Sequence, residues 1–237
     1  MKRHRRGFPA AVITLAILLS VVAWRAPAWA ADEGAKITGT VRYHVDPDRV
    51  WRYRRYYVAD HKTGEIAEAV VALRGQSLRK GTYPAVEEVA VIDQRDHEFV
   101  PETSAIRAGQ TVRFSNSDAA NHNVYSRDPL HPFNITIPSG GELTESFPRG
   151  GGISRPVELG CVFHNNMRAW VFVFEHPFFH VTASDGRYNL TGVPPGEYRL
   201  EMAHPAGRLR WSKEITVHAG ETVTVDIDVS PDDVQKD

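Results

Sequence analysis

The pattern that most restricts this chain is a period of two. Val223, Val225, Ile227 and Val229 alternate with Thr222, Thr224, Asp226 and Asp228; Tyr198, Leu200 and Met202 alternate with Arg199 and Glu201; Val112 and Phe114 alternate with Thr111, Arg113 and Ser115. Successive side chains of an extended strand point to opposite faces, so each segment reads as a half-buried antiparallel strand. Apolar residues at i, i+3, i+4 and i+7 are almost absent after the first thirty residues, which argues against a helical architecture. Gly and Pro clusters at Pro138 to Gly141, Pro148 to Gly152 and Pro194 to Gly196 supply turns. Short strands at this spacing predict an all-β chain built from sandwiches. Ala169 to Phe174 differs, because Ala169, Val171 and Val173 lie on one face and Trp170, Phe172 and Phe174 on the other. Both faces need cover: one from the strand's own core, the other from a further sheet or domain.

Residues 1–30 hold a basic stretch with Lys2, Arg3, Arg5 and Arg6, an apolar run from Ala10 to Trp24, and Ala28-Trp29-Ala30. That order is the layout of a cleavable secretory signal, with cleavage placed after Ala30. The alternative is an uncleaved anchor, but the run is short for a span and Arg25 interrupts it. Arg5-Arg6-Gly7-Phe8 is compatible with twin-arginine export as well as with a plain basic leader. The expectation is a periplasmic or otherwise exported protein with no stable membrane insertion once the leader is cut. Removing the leader's five bases from the 28 leaves 23 against 29 acids, a net charge near −6. Nucleic acid is therefore not expected as a partner, since its binders are normally basic. The one local exception, Arg52 to Tyr57, alternates bases with aromatics and reads as a strand or ribbon with a solvated face.

An exported chain with a single cysteine cannot close an internal disulfide, so Cys161 needs another explanation. Around it runs Gly160-Cys161-Val162-Phe163-His164-Asn165-Asn166-Met167, a C-x-x-H-x-x-M pattern in the loop before an apolar strand. Thiolate, imidazole and thioether are soft to borderline ligands that suit copper cycling between Cu(I) and Cu(II). A trigonal site needs a second imidazole, and His122 in Asn121-His122-Asn123-Val124 is the best placed. His44, His61, His97, His131, His176, His180, His204 and His218 read as surface or structural, with His131 the first substitute for His122. A nucleophilic Cys and His pair lacks an orienting third group and leaves Met167 unexplained. Zinc would not require the thioether, and a binuclear copper site would need two thiolates.

Residues 89–175 resemble the cupredoxin family, above all its plastocyanin and amicyanin branches. The resemblance rests on Phe99-Val100-Pro101, Gly109 to Asp118, His122-Asn123-Val124 and Cys161 to Met167. It implies a Greek-key β-sandwich holding one copper ion, with His122, Cys161 and His164 equatorial and Met167 a long axial ligand. It also implies an electron carrier, not an enzyme, whose partners are transient redox proteins such as a periplasmic dehydrogenase or a cytochrome. The exposed edge of His164, among Val162, Phe163 and Asn165, would be the electron's exit, and Asn123 would tie the two ligand loops together. Asn165 departs from the family, which often has Pro there. The rival readings are a copper delivery or storage protein, and a non-catalytic binding or scaffold protein.

Residues Val181 to Leu200 resemble the carboxypeptidase regulatory-like, transthyretin-type β-sandwich, through Asp185-Gly186-Arg187-Tyr188-Asn189-Leu190 and Val193-Pro194-Pro195-Gly196-Glu197-Tyr198-Arg199-Leu200. The usual opening strands of that module are missing just upstream. They occur instead as Gly39-Thr40-Val41 and Ala69-Val70-Val71-Ala72-Leu73. The expected organisation is therefore N-terminal strands over 37–75, a cupredoxin domain over 86–175 inserted into the second sandwich, the rest of that sandwich over 176–230, and a disordered tail over 231–237. The alternative makes 37–75 an extension that only packs on the copper domain. Asp226, Asp228, Asp232 and Asp233 read as a solvated strand face and a fraying tail, not as a calcium site.

Overall fold

The computed structural model describes residues 34–44, 48, 51–58, 60 and 62–235 of the chain, without the side chains of 52 and 53. The expected leader lies outside the described residues. Strands dominate the regular structure of the described residues, as the alternation predicts. The first stretch contributes β1 (Ala35–Tyr43), α1 (Trp51–Arg55), β2 (Val70–Arg74) and α2 (Gln76–Lys80). The middle contributes β3 (Ala90–Arg95), β4 (Glu98–Val100), β5 (Thr103–Arg107), β6 (Thr111–Asn116), β7 (His122–Ser126), β8 (Phe133–Ile137), β9 (Glu142–Ser146), β10 (Val157–Gly160) and β11 (Arg168–Phe174). The last stretch contributes β12 (Phe179–Val181), β13 (Arg187–Val193), β14 (Gly196–His204), β15 (Leu209–Val217), β16 (Thr222–Thr224) and β17 (Ile227–Val229).

Strand pairing among the described residues sorts these into two groups. The middle strands pair only with one another, in sheets ordered β5-β11-β10-β7-β8 and β4-β3-β6-β9. Their facing sides close over Ile92, Val112, Phe114, Val124, Leu159, Val171 and neighbours. The outer sheets are made jointly by the two ends of the chain. β1 pairs antiparallel with β13 and parallel with β16 and β17, while β2 lies between β12 and β14. Thr182 fastens the two ends together: its hydroxyl donates to the Ile66 carbonyl at 2.7 Å and accepts the Ala69 N–H at 3.0 Å.

The two sandwiches meet back to back. Ala169, Val171 and Val173 of β11 enter the middle core, whereas Phe172 and Phe174 pack with Val70, Ala72 and Ala203 of the outer sheet. β2 is the matching strand on the other side, with Val71 and Leu73 in the outer core and Val70 and Ala72 in the shared layer. Each is apolar on both faces because each is covered on both.

Three local expectations need correction. Residues 51–55 are helical rather than a strand or ribbon: the turn tucks Tyr56 into the outer core, its ring 4.4 Å from that of Tyr43. The alternation over 222–229 is split, because at Asp226 a side chain replaces the ladder, its carboxylate taking the Thr40 N–H at 2.9 Å. The expected disordered tail is ordered through residue 235. Ser230 and Asp233 cap a 3-10 turn over Pro231–Asp233, Val234 bridges to Leu209, and the Gln235 N–H donates to the Arg208 carbonyl at 2.8 Å. Among the described residues no helix is long and apolar enough to cross a membrane.

Candidate metal centre

Three strands of the middle sandwich and the loop that joins two of them converge at one end of its core. His122 opens β7 and is fully buried; Cys161 follows β10 directly, and Met167 immediately precedes β11. The loop between Cys161 and Met167 is closed by the Met167 N–H donating to the His164 carbonyl at 3.0 Å. His164, half-buried, is thereby turned back over Cys161. Cys161 and Met167 belong to the same buried cluster.

The ring nitrogens of His122 and His164 face each other, Nδ1 to Nδ1, at 3.1 Å, and the Cys161 sulfur lies 3.7 Å from His164 Nδ1. All three donor atoms fall within 4.8 Å of one another. Nitrogen and thiolate donors sit about 2.0 and about 2.3 Å from a first-row ion such as zinc, which permits edges of this length around one ion. The donor set also fits a metal chemically. The Asp118 carboxylate accepts from His122 Nε2 at 2.7 Å, so that nitrogen carries the proton and the Nδ1 lone pair points inward at the other donors. Imidazole and thiolate at these distances, with a buried thioether in the same cluster, suit a copper ion.

The surroundings hold this set in place. The backbone N–H of Asn123 points at the Cys161 sulfur at 3.4 Å, and the Asn123 side-chain oxygen takes the Val162 N–H at 3.4 Å, linking the β7 and Cys161 loops. Asn134 in turn accepts from the Asn123 amide at 2.6 Å, and buried Gln94 donates to the Asn123 carbonyl at 3.2 Å. Beside His164, Val162 and Phe163 are 50% and 55% exposed, leaving an apolar rim open to solvent. Burial, followed by the charges of His122 and His97, holds His164 below the usual imidazole value, with Asp118 pulling the other way.

Two residues here escaped the sequence reading. Asp118 is one. Burial would raise its carboxyl, but the His97 N–H, the His122 ring and the Asp96 N–H outweigh it and bring it down to about 2. His97, read as a surface or structural residue, is the other: its ring stands perpendicular to those of His164 and His122, with centroids 4.7 and 5.3 Å away. The only available signal was Asp118 four residues before His122. His131, the first substitute for His122, instead donates from Nε2 to the Arg149 carbonyl at 2.6 Å and rests on Phe147, away from the donor set.

No curated relative matches the chain. Among solved structures, it is similar to a Cu(I) amicyanin variant at 20% identity, covering 38% of this chain and 86% of that one with a TM-score of 0.33. It is also similar to an oxidised amicyanin variant, at 19% identity over 36% of this chain and 81% of that one, TM-score 0.33. A copper-containing nitrite reductase from Thermus scotoductus SA-01 matches at 19% identity over 41% of this chain and 25% of that one, TM-score 0.34. Residues 172–230, most of them in the outer sandwich, match the family model of the carboxypeptidase regulatory-like domain.

Proposed function

We propose that the chain is an exported single-copper electron-transfer protein. The observation that carries this reading is the inward-facing set of His122 Nδ1, His164 Nδ1 and Cys161 Sγ, with His122 and Cys161 buried and Met167 in the same cluster. Bound there, copper would supply one-electron chemistry between Cu(I) and Cu(II). The protein's share is geometric. Asp118 fixes the His122 ring, Asn123 ties the sulfur's loop to β7, and the rigid sandwich gives both oxidation states the same donor positions. Met167, buried in the same cluster, would add a weak thioether donor. His164 and its Val162 and Phe163 rim would be the contact for transient redox partners, a periplasmic dehydrogenase or a cytochrome. A catalytic cysteine is disfavoured because Cys161 is only 2% exposed, leaving a substrate no approach to the sulfur. Export rests on the leader-like residues 1–30.

The outer sheets favour one module interrupted by the copper sandwich, since β1 and β2 complete sheets whose other strands lie after residue 178. A non-catalytic binding or scaffold role is the alternative for that module. A copper delivery or storage protein is the alternative for the metal centre. The visible spectrum separates them. Stoichiometrically loaded protein should show intense thiolate-to-copper absorption that Cys161→Ser abolishes, because a hydroxyl cannot replace the polarisable thiolate. Colour retained in the serine variant, or no such absorption at full copper loading, would overturn the electron-transfer assignment.

A further inference from the structure

We propose that His97 is the capture ligand through which copper reaches and leaves the buried donor set. This rests on the copper reading above. His122, Cys161 and Met167 are sealed, at 0%, 2% and 1% exposure, so a metal ion must arrive past His164. His97 stands on that path. Its side chain is 53% exposed, and its ring touches both ligand imidazoles edge to face.

The backbone spends conformational energy to put it there. Asp96 and His97 are the two residues of the β3–β4 hairpin turn, with φ of 56° and 62°. Such a turn takes Asn-Gly or Asp-Gly most readily, because the second position is left-handed and a side chain there is disfavoured. Asp118 holds the turn rigidly, accepting the Asp96 N–H at 2.8 Å and the His97 N–H at 3.0 Å through the same carboxylate that accepts from His122. An imidazole carried on a strained, clamped turn at the mouth of a donor set is well placed to bind an ion in transit: it ligates copper from solvent, then passes it to His164 by exchange of one imidazole for another, with no change of oxidation state.

The test is stopped-flow addition of copper(II) sulfate to the metal-free full-length protein, followed by release to a competing chelator. His97→Asn keeps a residue tolerant of the left-handed turn but removes the imidazole; His97→Phe keeps the ring contacts but removes the donor. Both should slow the rise of the Cys161-dependent absorption on the order of tenfold, and slow release by the same factor. Final affinity and spectrum should not change, since a transit ligand leaves the end state untouched. His218→Ala, an exposed histidine remote in sequence, should load normally. Wild-type loading rates in His97→Phe would reduce His97 to a packing residue, and an altered final spectrum would make it part of the site; either overturns the proposal. Failure of the wild-type protein to form the Cys161-dependent band would instead remove the copper reading beneath it.

Discussion

Asp118 serves two structures with one carboxylate: it orients the His122 ring and anchors the turn that carries His97. Asn at this position offers one acceptor oxygen and a donor where three donors now converge, so at least one N–H must face another. It also removes the charge that makes the imidazole a better ligand. Asp118→Asn should therefore weaken copper binding about 10- to 100-fold in a competition titration, while the thiolate absorption of fully loaded protein survives. Unchanged affinity would mean the 2.7 Å contact does not support the metal. Cys161, His164 and Met167 were legible in the sequence because they share one short loop with recognisable spacing. His122 was legible through the strand pattern before it. Asp118 and His97 were not, since their roles arise from a turn conformation and a carboxylate's reach across 21 residues, neither of which leaves a periodic trace.

At the scale of elements, the two-faced apolarity of β11 announced a second covering layer, and Phe172 and Phe174 enter it. α1 was missed because five residues cannot display a helical stripe, and its alternation of bases with aromatics mimics a strand. The division of 222–229 into β16 and β17 was equally hidden. Beside that division Gly39 of β1 lets the Val225 segment come close, since an added Cβ would overlap the Val225 carbonyl oxygen. That oxygen also accepts from the buried Tyr188 hydroxyl at 2.6 Å, so it has little room to retreat. Gly39→Ala should destabilise the outer sandwich by roughly 1–3 kcal/mol, read as a lowered denaturant midpoint. A midpoint equal to that of the wild type would show that β1 and the Val225 segment can separate freely.

The whole molecule carries an acid sensitivity written in buried imidazoles. Burial drives His176, with help from the Arg107 charge, and His204 each down to about 4. His204 accepts the Gly207 N–H at Nδ1, a bond that protonation there would break. In the unfolded chain an imidazole titrates at about 6.5, so below that pH the unfolded state takes up the protons. The stability is complete above about 6.5 and is lost as pH falls toward 4, on the order of 2 kcal/mol per histidine by about pH 5. Glu68 and Glu102, whose carboxyls burial raises, act in the opposite direction and soften the slope. Denaturant midpoints of metal-free protein should fall from about pH 7 to about pH 5; a flat profile would mean these rings are solvated. The joining of the chain's two ends in one sheet also dictates an order of assembly. Ala35 pairs with Val193, so the outer sheet cannot form until nearly the whole chain has emerged from the ribosome or from the export channel. In that interval residues 90–174, whose strands need only each other, can close, while β1 and β2 wait with bare edges. The molecule is thus completed from the inside outward, its oldest strands the last to find their place.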